Sequence, residues 1–71
     1  MAPPSIGELI REHRKVRRIS QTALAKASGL PQPTLSRIET GRRNPSVAQL
    51  RALARVLEVP VSSLIPPTET A

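Results

Sequence analysis

The 71-residue sequence contains no cysteine, no aromatic side chain and no aspartate, and His13 is its single histidine. Without cysteine the chain forms neither disulfide bonds nor thiolate metal sites, and nucleophilic triads lack their usual partners. These absences argue against an enzyme, and we expect no catalytic residue, no metal site and no cofactor. The lack of aromatic rings also removes the stacking platforms that single-stranded nucleic acids use.

Long apolar runs are a further absence. None approaches the roughly 18 residues that a membrane-spanning helix requires. Residues 1–4 do not resemble the charged start of a secretory signal, because two of them are prolines and no apolar core follows. We therefore expect a soluble, intracellular protein.

Positive charge is the prominent feature that the sequence does have. Eleven lysine and arginine residues oppose five acidic residues, which gives a formal charge of +6. Nine basic residues and two acidic ones lie between Arg11 and Arg43, a net charge of +7 in this segment. Charge concentrated in this way favours phosphate binding over an ordinary solvated surface. For Arg17, Arg18 and Lys26 individually, a solvated position is an equally good interpretation.

The chain is long enough for one small domain with a thin core. Domains of this length bury only about 60% of the surface of the unfolded chain. Their stability therefore depends on helix caps, local pairing or a partner subunit. We expect dimerisation for this reason.

Capping residues and apolar spacing predict a succession of short helices, with no strand signal. Ser5 and Glu8 form a capping box at the start of the first helix, which we expect to end near Arg17. An apolar stripe at helical spacing marks its buried face: Ile6, Leu9, Ile10, His13 and Val16. We interpret the histidine on this stripe as a partly buried residue rather than a ligand or a pH switch.

Two further short helices are predicted on either side of a glycine. The first follows the cap Ser20 and ends at Gly29, which adopts a left-handed conformation at little cost. Because a proline disfavours helical geometry in the residue before it, we expect Gln32 to be extended. The next helix then runs from Pro33 to about Thr40.

These two helices have the spacing of a helix-turn-helix. Small Ala25 allows the helices to cross closely, and Gly29 lets the chain turn within few residues. The residues placed on the facing sides are Leu24, Ala25, Leu30, Leu35 and Ile38.

A second capping box, Ser46 with Gln49, opens the fourth helix, and Pro60 ends it. Its predicted buried face comprises Val47, Leu50, Leu53, Ala54 and Leu57. Residues 61–65 form a single turn or a fifth helix. The predicted fold is all-α. It is a compact bundle of about five short helices over residues 5–65, with a helix-turn-helix at its centre. A disordered N-terminal arm (1–4) and a flexible C-terminal tail (66–71) are expected to flank it.

The ordered set of motifs resembles the phage repressor/Cro (XRE) type of helix-turn-helix DNA-binding domain, across residues 6–65. The motifs that carry the resemblance are Ile10-Arg11, Arg14, the segments 20–25, Gly29-Leu30, 35–45 and 50–57, Val59 and Leu64. The run Ile-Glu-x-Gly-Arg-x-x-Pro within residues 38–45 is the most specific of them. The resemblance implies a lambda-repressor-like domain.

The resemblance also implies roles for individual residues. The third helix would lie in the major groove of double-stranded DNA as the recognition helix. The residues implied to contact bases are Gln32, Pro33, Thr34, Ser36 and Arg37. Gln32 can pair with adenine N6 and N7, and Arg37 with guanine O6 and N7.

Contacts to the DNA backbone are implied on both sides of the recognition helix. Gln21 resembles the glutamine with which this family holds a phosphate at the start of the second helix. The residues implied to contact the backbone are Ser20, Gln21, Thr40, Arg42, Arg43 and Asn44. Arg14 and Glu39 match an ion pair that fixes the position of the recognition helix.

Three residues depart from the family pattern. Pro31 replaces the hydroxyl residue that usually caps the third helix, Thr40 replaces an asparagine, and Glu58 replaces a glycine after the fourth helix. The prolines on both sides of Gln32 lack N–H groups, so the first turn of the third helix loses anion-binding capacity.

We expect a sequence-specific transcriptional regulator, a repressor that binds a pseudo-palindromic operator as a homodimer and acts in the cytoplasm at the nucleoid. The alternative is an antitoxin or anti-regulator whose main role is to bind a partner protein, with DNA binding for autoregulation. The apolar C-terminal segment could serve either a second subunit or such a partner. A membrane-surface role for the basic first helix is disfavoured because the core needs its apolar face.

Overall fold

The computed structural model describes residues 4–67, which contain four α-helices and one 3₁₀ turn. The helices are α1 (Ile6–Val16), α2 (Gln21–Ser28), α3 (Gln32–Glu39) and α4 (Val47–Leu57), and the turn is Val61–Leu64. The predicted arm and tail fall outside the described residues, apart from Pro4 and residues 66–67. Within residues 4–67, no helix combines the length and apolar character needed to cross a bilayer.

The all-helical prediction is confirmed, but the expected count of five helices is wrong. The segment after α4 closes a single turn, in which the Ser63 N–H donates to the Pro60 carbonyl over 2.9 Å. Pro60 before this segment and Pro66 after it leave no room for the i to i+4 bonding of an α-helix. Leu64 nevertheless reaches the core and is fully buried.

The predicted helix starts at Ser5, Ser20 and Ser46 are confirmed. Ser5 and Glu8 bond reciprocally, with N···O distances of 2.8 and 3.2 Å. Ser46 and Gln49 do the same at 3.0 and 3.1 Å. These contacts satisfy N–H groups that have no acceptor within the helix.

The third helix begins one residue earlier than predicted. Gln32 is the first residue of α3, so the expectation that it is extended is wrong. Pro31 takes the extended cap position instead, with φ −61° and ψ 140°. The first N–H groups of a helix have no intrahelical acceptor, so Pro33 in the first turn costs no hydrogen bond. Packing of α3 on the core then outweighs the steric preference against a helical residue before proline.

Each α-helix is followed, within two residues, by a residue in the left-handed conformation. The four residues are Arg18, Gly29, Gly41 and Glu58, with φ values of 57°, 74°, 82° and 58°. The N–H of the following residue donates back to a carbonyl five positions earlier, as from Val59 to Ala54 over 3.0 Å. Glycine adopts this geometry freely, whereas Arg18 and Glu58 each carry a steric cost of roughly 1 kcal/mol.

The core is formed by one apolar stripe from each helix. Its fully buried members are Ile10, Leu24, Leu35, Ile38, Leu53, Leu57 and Leu64. Two predicted core residues are exposed instead, Val16 by 81% and Val47 by 69%. At about 100° per residue, Val16 lies roughly 240° around α1 from Ile10 and faces solvent. Val47 is the first residue of α4, and its side chain points towards the helix N-terminus, past the end of the core.

Gly7 allows α1 to approach the end of α3 closely. It is buried, and a Cβ atom at this position would collide with the carbonyl oxygen of Ile38 and lie 2.9 Å from that of Glu39. Because both obstacles are backbone atoms, no side-chain rotation relieves the overlap. Glycine is therefore required at a helical position where alanine would otherwise be preferred.

An ion pair joins the same two helices. The Arg14 Nε donates to Glu39 Oε2 over 2.8 Å, and Nη2 donates to Oε1 over 3.1 Å. A third bond runs from Arg14 Nη1 to the carbonyl of Ile19 over 3.1 Å. The side chains are 14% and 3% exposed, so the pair is largely withdrawn from water. By contrast, the Arg17–Glu58 pair has a 3.4 Å separation and side chains that are 38% and 70% exposed.

We expect Gly7→Ala to destabilise the protein by about 2 kcal/mol or more, because the overlap with backbone atoms outweighs a helix-propensity gain of about 1 kcal/mol. The melting temperature in circular dichroism should fall by about 10 °C. Glu12→Ala, at an exposed site of the same helix, should change stability by less than about 0.5 kcal/mol. A stabilised Gly7→Ala protein would contradict the close approach.

We expect Arg14→Ala to cost about 3 kcal/mol, because it leaves the buried carboxylate of Glu39 without its cation. The matched variant Arg17→Ala removes the exposed pair and should cost less than about 1 kcal/mol. Urea denaturation of both variants measures the difference. Equal, small losses would show that the α1–α3 pair contributes no more than a surface ion pair.

Candidate nucleic-acid interface

The outward side of α3 carries the residues predicted to contact bases. Leu35 and Ile38 face the core and are 0% and 1% exposed, which turns the opposite side of this helix outwards. Along that side Gln32, Pro33 and Arg37 are exposed, whereas Thr34 and Ser36 are half-buried. A helix with this polar outer side can enter a groove that offers hydrogen-bonding groups.

An open depression of about 480 Å³ lies beside this helix. Its lining combines three of the predicted base-contacting residues with two of the predicted backbone-contacting ones: Pro33, Ser36, Arg37, Thr40 and Arg42. The structure thus brings the end of α3 and the start of the following loop to one surface.

A second depression of about 230 Å³ adjoins the first, because Thr40 lines both. Its other lining residues are Arg11, Arg14, Gln21 and Glu39. Arg11 was not among the predicted site residues, although it is exposed and stands beside Gln21 in this lining. Its position three residues before Arg14, on one side of α1, was the signal that could have placed it here.

A chain of side-chain amides connects α2 to α3 in this region. The Gln21 Nε2 donates to Glu39 Oε1 over 3.1 Å, and the Gln32 Nε2 donates to Gln21 Oε1 over 3.4 Å. Glu39 also accepts both bonds from Arg14. Gln21, predicted to contact a phosphate, and Gln32, predicted to contact a base, are therefore both linked by hydrogen bonds to the ion pair between α1 and α3.

Backbone N–H groups are more available at the start of α2 than at the start of α3. In α3, Pro33 has no N–H, and those of Thr34 and Leu35 donate to the Pro31 carbonyl over 3.0 and 3.2 Å. In α2, Ser20 Oγ accepts from Ala23, while both Gln21 and Thr22 keep an N–H with no intrahelical acceptor; in α3 only Gln32 does. An anion is therefore better accommodated at α2.

The hydroxyl groups predicted to contact the DNA backbone differ in their freedom to donate. Thr40 Oγ1 donates within α3, to the Ser36 carbonyl over 3.0 Å or to that of Arg37 over 3.2 Å. Ser20 Oγ accepts a bond from Ala23 over 3.0 Å and keeps its own hydrogen. Ser20 is thus the better donor to an external acceptor.

The loop after α3 is tied to the helix by its backbone. The N–H groups of Arg42 and Arg43 both donate to the Arg37 carbonyl, over 2.9 and 3.2 Å. Arg43 and Asn44 are exposed and line neither depression. In the described part of the chain, none of the three arginines pairs with an acidic side chain. Their positive charge is therefore not neutralised by the protein.

Within residues 4–67, no three His, Asp or Glu side chains lie close enough together to hold a metal ion. Arginine, amide and hydroxyl groups dominate the site instead, and these suit phosphate oxygens and base edges.

The sequence is similar to those of proteins named as regulators and repressors. It is 40% identical over 60 residues to the HTH-type transcriptional regulator RghRB of Bacillus subtilis, covering 83% of this chain and 43% of the relative. It is 36% identical over 61 residues to the immunity repressor protein of Bacillus phage phi105, covering 86% and 42%. The chain thus spans less than half the length of these relatives.

Solved structures share both the fold and part of the sequence. The complex of SinR with DNA matches with a TM-score of 0.80 and 37% identity, over 83% of this chain and 95% of that one. The P22 c2 repressor bound to a synthetic operator matches with a TM-score of 0.82 and 32% identity, over 87% and 94%. SinR is also matched in its complex with the SinI protein, with a TM-score of 0.80 and 37% identity, over 83% and 58%. These matched proteins are regulators and repressors rather than enzymes.

A family model described as helix-turn-helix matches residues 10–64, which is most of the chain. This match and the named repressors confirm the resemblance drawn from the motifs. The chain belongs to the helix-turn-helix family, of the phage-repressor type.

Proposed function

We propose that this protein is a sequence-specific transcriptional regulator that represses by occupying double-stranded DNA. The observation that carries the proposal is the unneutralised charge of Arg37, Arg42 and Arg43 beside the polar outer side of α3. Such a surface matches a phosphate backbone next to a major groove. As a DNA-binding protein it would act in the cytoplasm, at the nucleoid.

Base contacts are assigned to α3 in this proposal. Its exposed first turn would put Gln32 and Pro33 at the groove floor, and Arg37 would reach a base one turn later. Gln32 suits adenine and Arg37 suits guanine, each with about 1–3 kcal/mol of discrimination. Thr34 and Ser36 are half-buried and would add a methyl contact or a single hydrogen bond.

Backbone contacts surround the base-contacting helix. The free N–H and hydroxyl groups at the start of α2 would hold one phosphate through Ser20 and Gln21. Arg42, Arg43 and Asn44 would hold the backbone beyond α3, with Thr40 between the two groups. The exposed Arg11 joins this set because it lines the same depression as Gln21.

A homodimer on a pseudo-palindromic site is the assembly that we propose. A single α3 reads only a few base pairs, and two copies spaced by about one helical turn, roughly 34 Å, read enough for a unique operator. Val47 and Ile65 are exposed by 69% and 46% and offer apolar surface for a second subunit. Residues 5–65 would form the DNA-binding domain of each copy.

A second candidate function uses these exposed apolar side chains to bind another protein. In this case the chain would be an antitoxin or anti-regulator, and DNA binding would serve autoregulation. The exposed valine and isoleucine side chains support it, as does the existence of a SinR–SinI complex among the matched structures. Stable co-purification with the product of a neighbouring gene, with DNA-contact variants lacking any phenotype, would favour this candidate.

Selection of bound sites from random duplex DNA tests the proposal. Arg37→Ala should relax one base position in each half-site, while Arg43→Ala should weaken all sequences alike and lower the magnitude of the salt slope by about 2, which is about 1 for each copy of the dimer. With about six phosphates contacted per dimer, log K should fall with log salt with a slope near −5. Arg51→Ala removes an equal charge from α4, away from both depressions, and serves as the control. No enriched sequence, or binding insensitive to salt, would refute the proposal.

A further inference from the structure

We infer that Glu39, which lies under the interface, is a positioning residue that sets the base preference of Gln32 by fixing the amide of Gln21. The inference rests on the proposed function, because it specifies how one base-contacting side chain acquires its preference. Glu39 is 7% exposed as a residue and sits at the end of α3. It would act through the hydrogen-bonded amides and not by touching DNA.

The first step is the orientation of Gln21. A carboxylate has acceptor atoms only, so the amide atom that lies 3.1 Å from Glu39 Oε1 must be the nitrogen. The opposite orientation would bring two oxygens together in a buried site, which is unfavourable. Glu39 therefore determines which way the Gln21 amide faces, and the Gln21 oxygen is directed away from it.

The carboxylate is itself immobile. Both of its oxygens accept bonds from Arg14, at 2.8 and 3.1 Å, and its side chain is 3% exposed. A bidentate pair fixes the plane of the carboxylate as well as its position. The acceptor that Gln21 meets is thus held in one place before any ligand arrives.

The second step is the orientation of Gln32. The oxygen of Gln21 needs a donor, and the Gln32 Nε2 supplies it over 3.4 Å. An amide that donates one hydrogen in this way keeps its oxygen and its second hydrogen for another partner. One acceptor beside one donor is the pattern complementary to N6 and N7 of adenine. The hydrogen bonds from Gln21 to Glu39 and from Gln32 to Gln21 therefore leave Gln32 with the oxygen and N–H that pair with adenine.

A neutral amide at position 39 would remove this bias. It can donate as well as accept, so the Gln21 amide could turn and offer an N–H to the oxygen of Gln32. Gln32 would then present only N–H groups, which suit the two acceptors O6 and N7 of guanine. The base preference at this single position would move from adenine towards guanine.

The test is site selection from random duplex DNA with the wild-type chain and the variants Glu39→Gln and Gln21→Met. We expect Glu39→Gln to reduce the adenine-over-guanine preference at the Gln32 position about tenfold. The preference at the Arg37 position should be unchanged. Gln21→Met keeps the Arg14–Glu39 pair and should cause the same loss of preference by removing the middle amide. If circular dichroism shows that Glu39→Gln does not fold, the result for Gln21→Met decides whether the inference stands.

Arg17→Ala is the matched control, because it removes an arginine of α1 and its exposed pair with Glu58 but leaves Arg14, Glu39 and both amides in place. It should retain the adenine preference even if its overall affinity falls. Unchanged preference in Gln21→Met, an equal loss at every base position in the folded variants, or the same loss in Arg17→Ala would overturn the inference. If the wild-type chain itself enriches no sequence, the proposed function fails instead, so the two failures are distinguishable.

Discussion

The close contact between α1 and the end of α3 is the constraint on which the interface depends. Gly7 lies against the backbone carbonyls of Ile38 and Glu39, and Arg14, two turns further along α1, holds the Glu39 side chain. One residue of α3 is thus fixed through both its backbone and its carboxylate. Because α3 carries the outward polar residues, fixing its end also fixes the surface that it offers. A pre-organised surface loses less conformational entropy on binding than a mobile one.

The two prolines at the start of α3 favour folding of the helix but weaken its capacity to bind an anion. They restrict the unfolded chain, which favours the folded helix. They also remove N–H groups, so the first turn of α3 offers little to an anion. The start of α2 keeps its N–H groups, and this favours the proposal that a phosphate is held by Ser20 and Gln21. In the same proposal, contacts from the start of α3 are left to side chains, above all Gln32.

Signals close together in the sequence predicted the fold well. Capping boxes at Ser5 and Ser46 and the turn at Gly29 involve residues only a few positions apart, so short patterns reveal them. Gln32 was misassigned because a local rule for residues before proline competes with packing that acts over the whole helix. No neighbouring residue in the sequence indicates the role of Gly7, since the backbone atoms that exclude a side chain there belong to α3. Family resemblance alone predicts the pairing of Arg14 with Glu39, and no pattern in the sequence predicts the bond from Gln21 to Glu39.

Charge and base recognition are assigned to different side chains in this surface. Of the nine basic residues between Arg11 and Arg43, Arg14 and Arg17 lie within 4.0 Å of an acidic side chain in the described residues. In the proposed complex the unpaired cations would supply attraction to phosphates that depends on salt and not on sequence. The amides of Gln21 and Gln32 carry no charge and would add little to that attraction, but their donors and acceptors are ordered by the buried carboxylate of Glu39. If the inference drawn above holds, sequence preference at this point depends on one acidic residue inside a strongly basic surface.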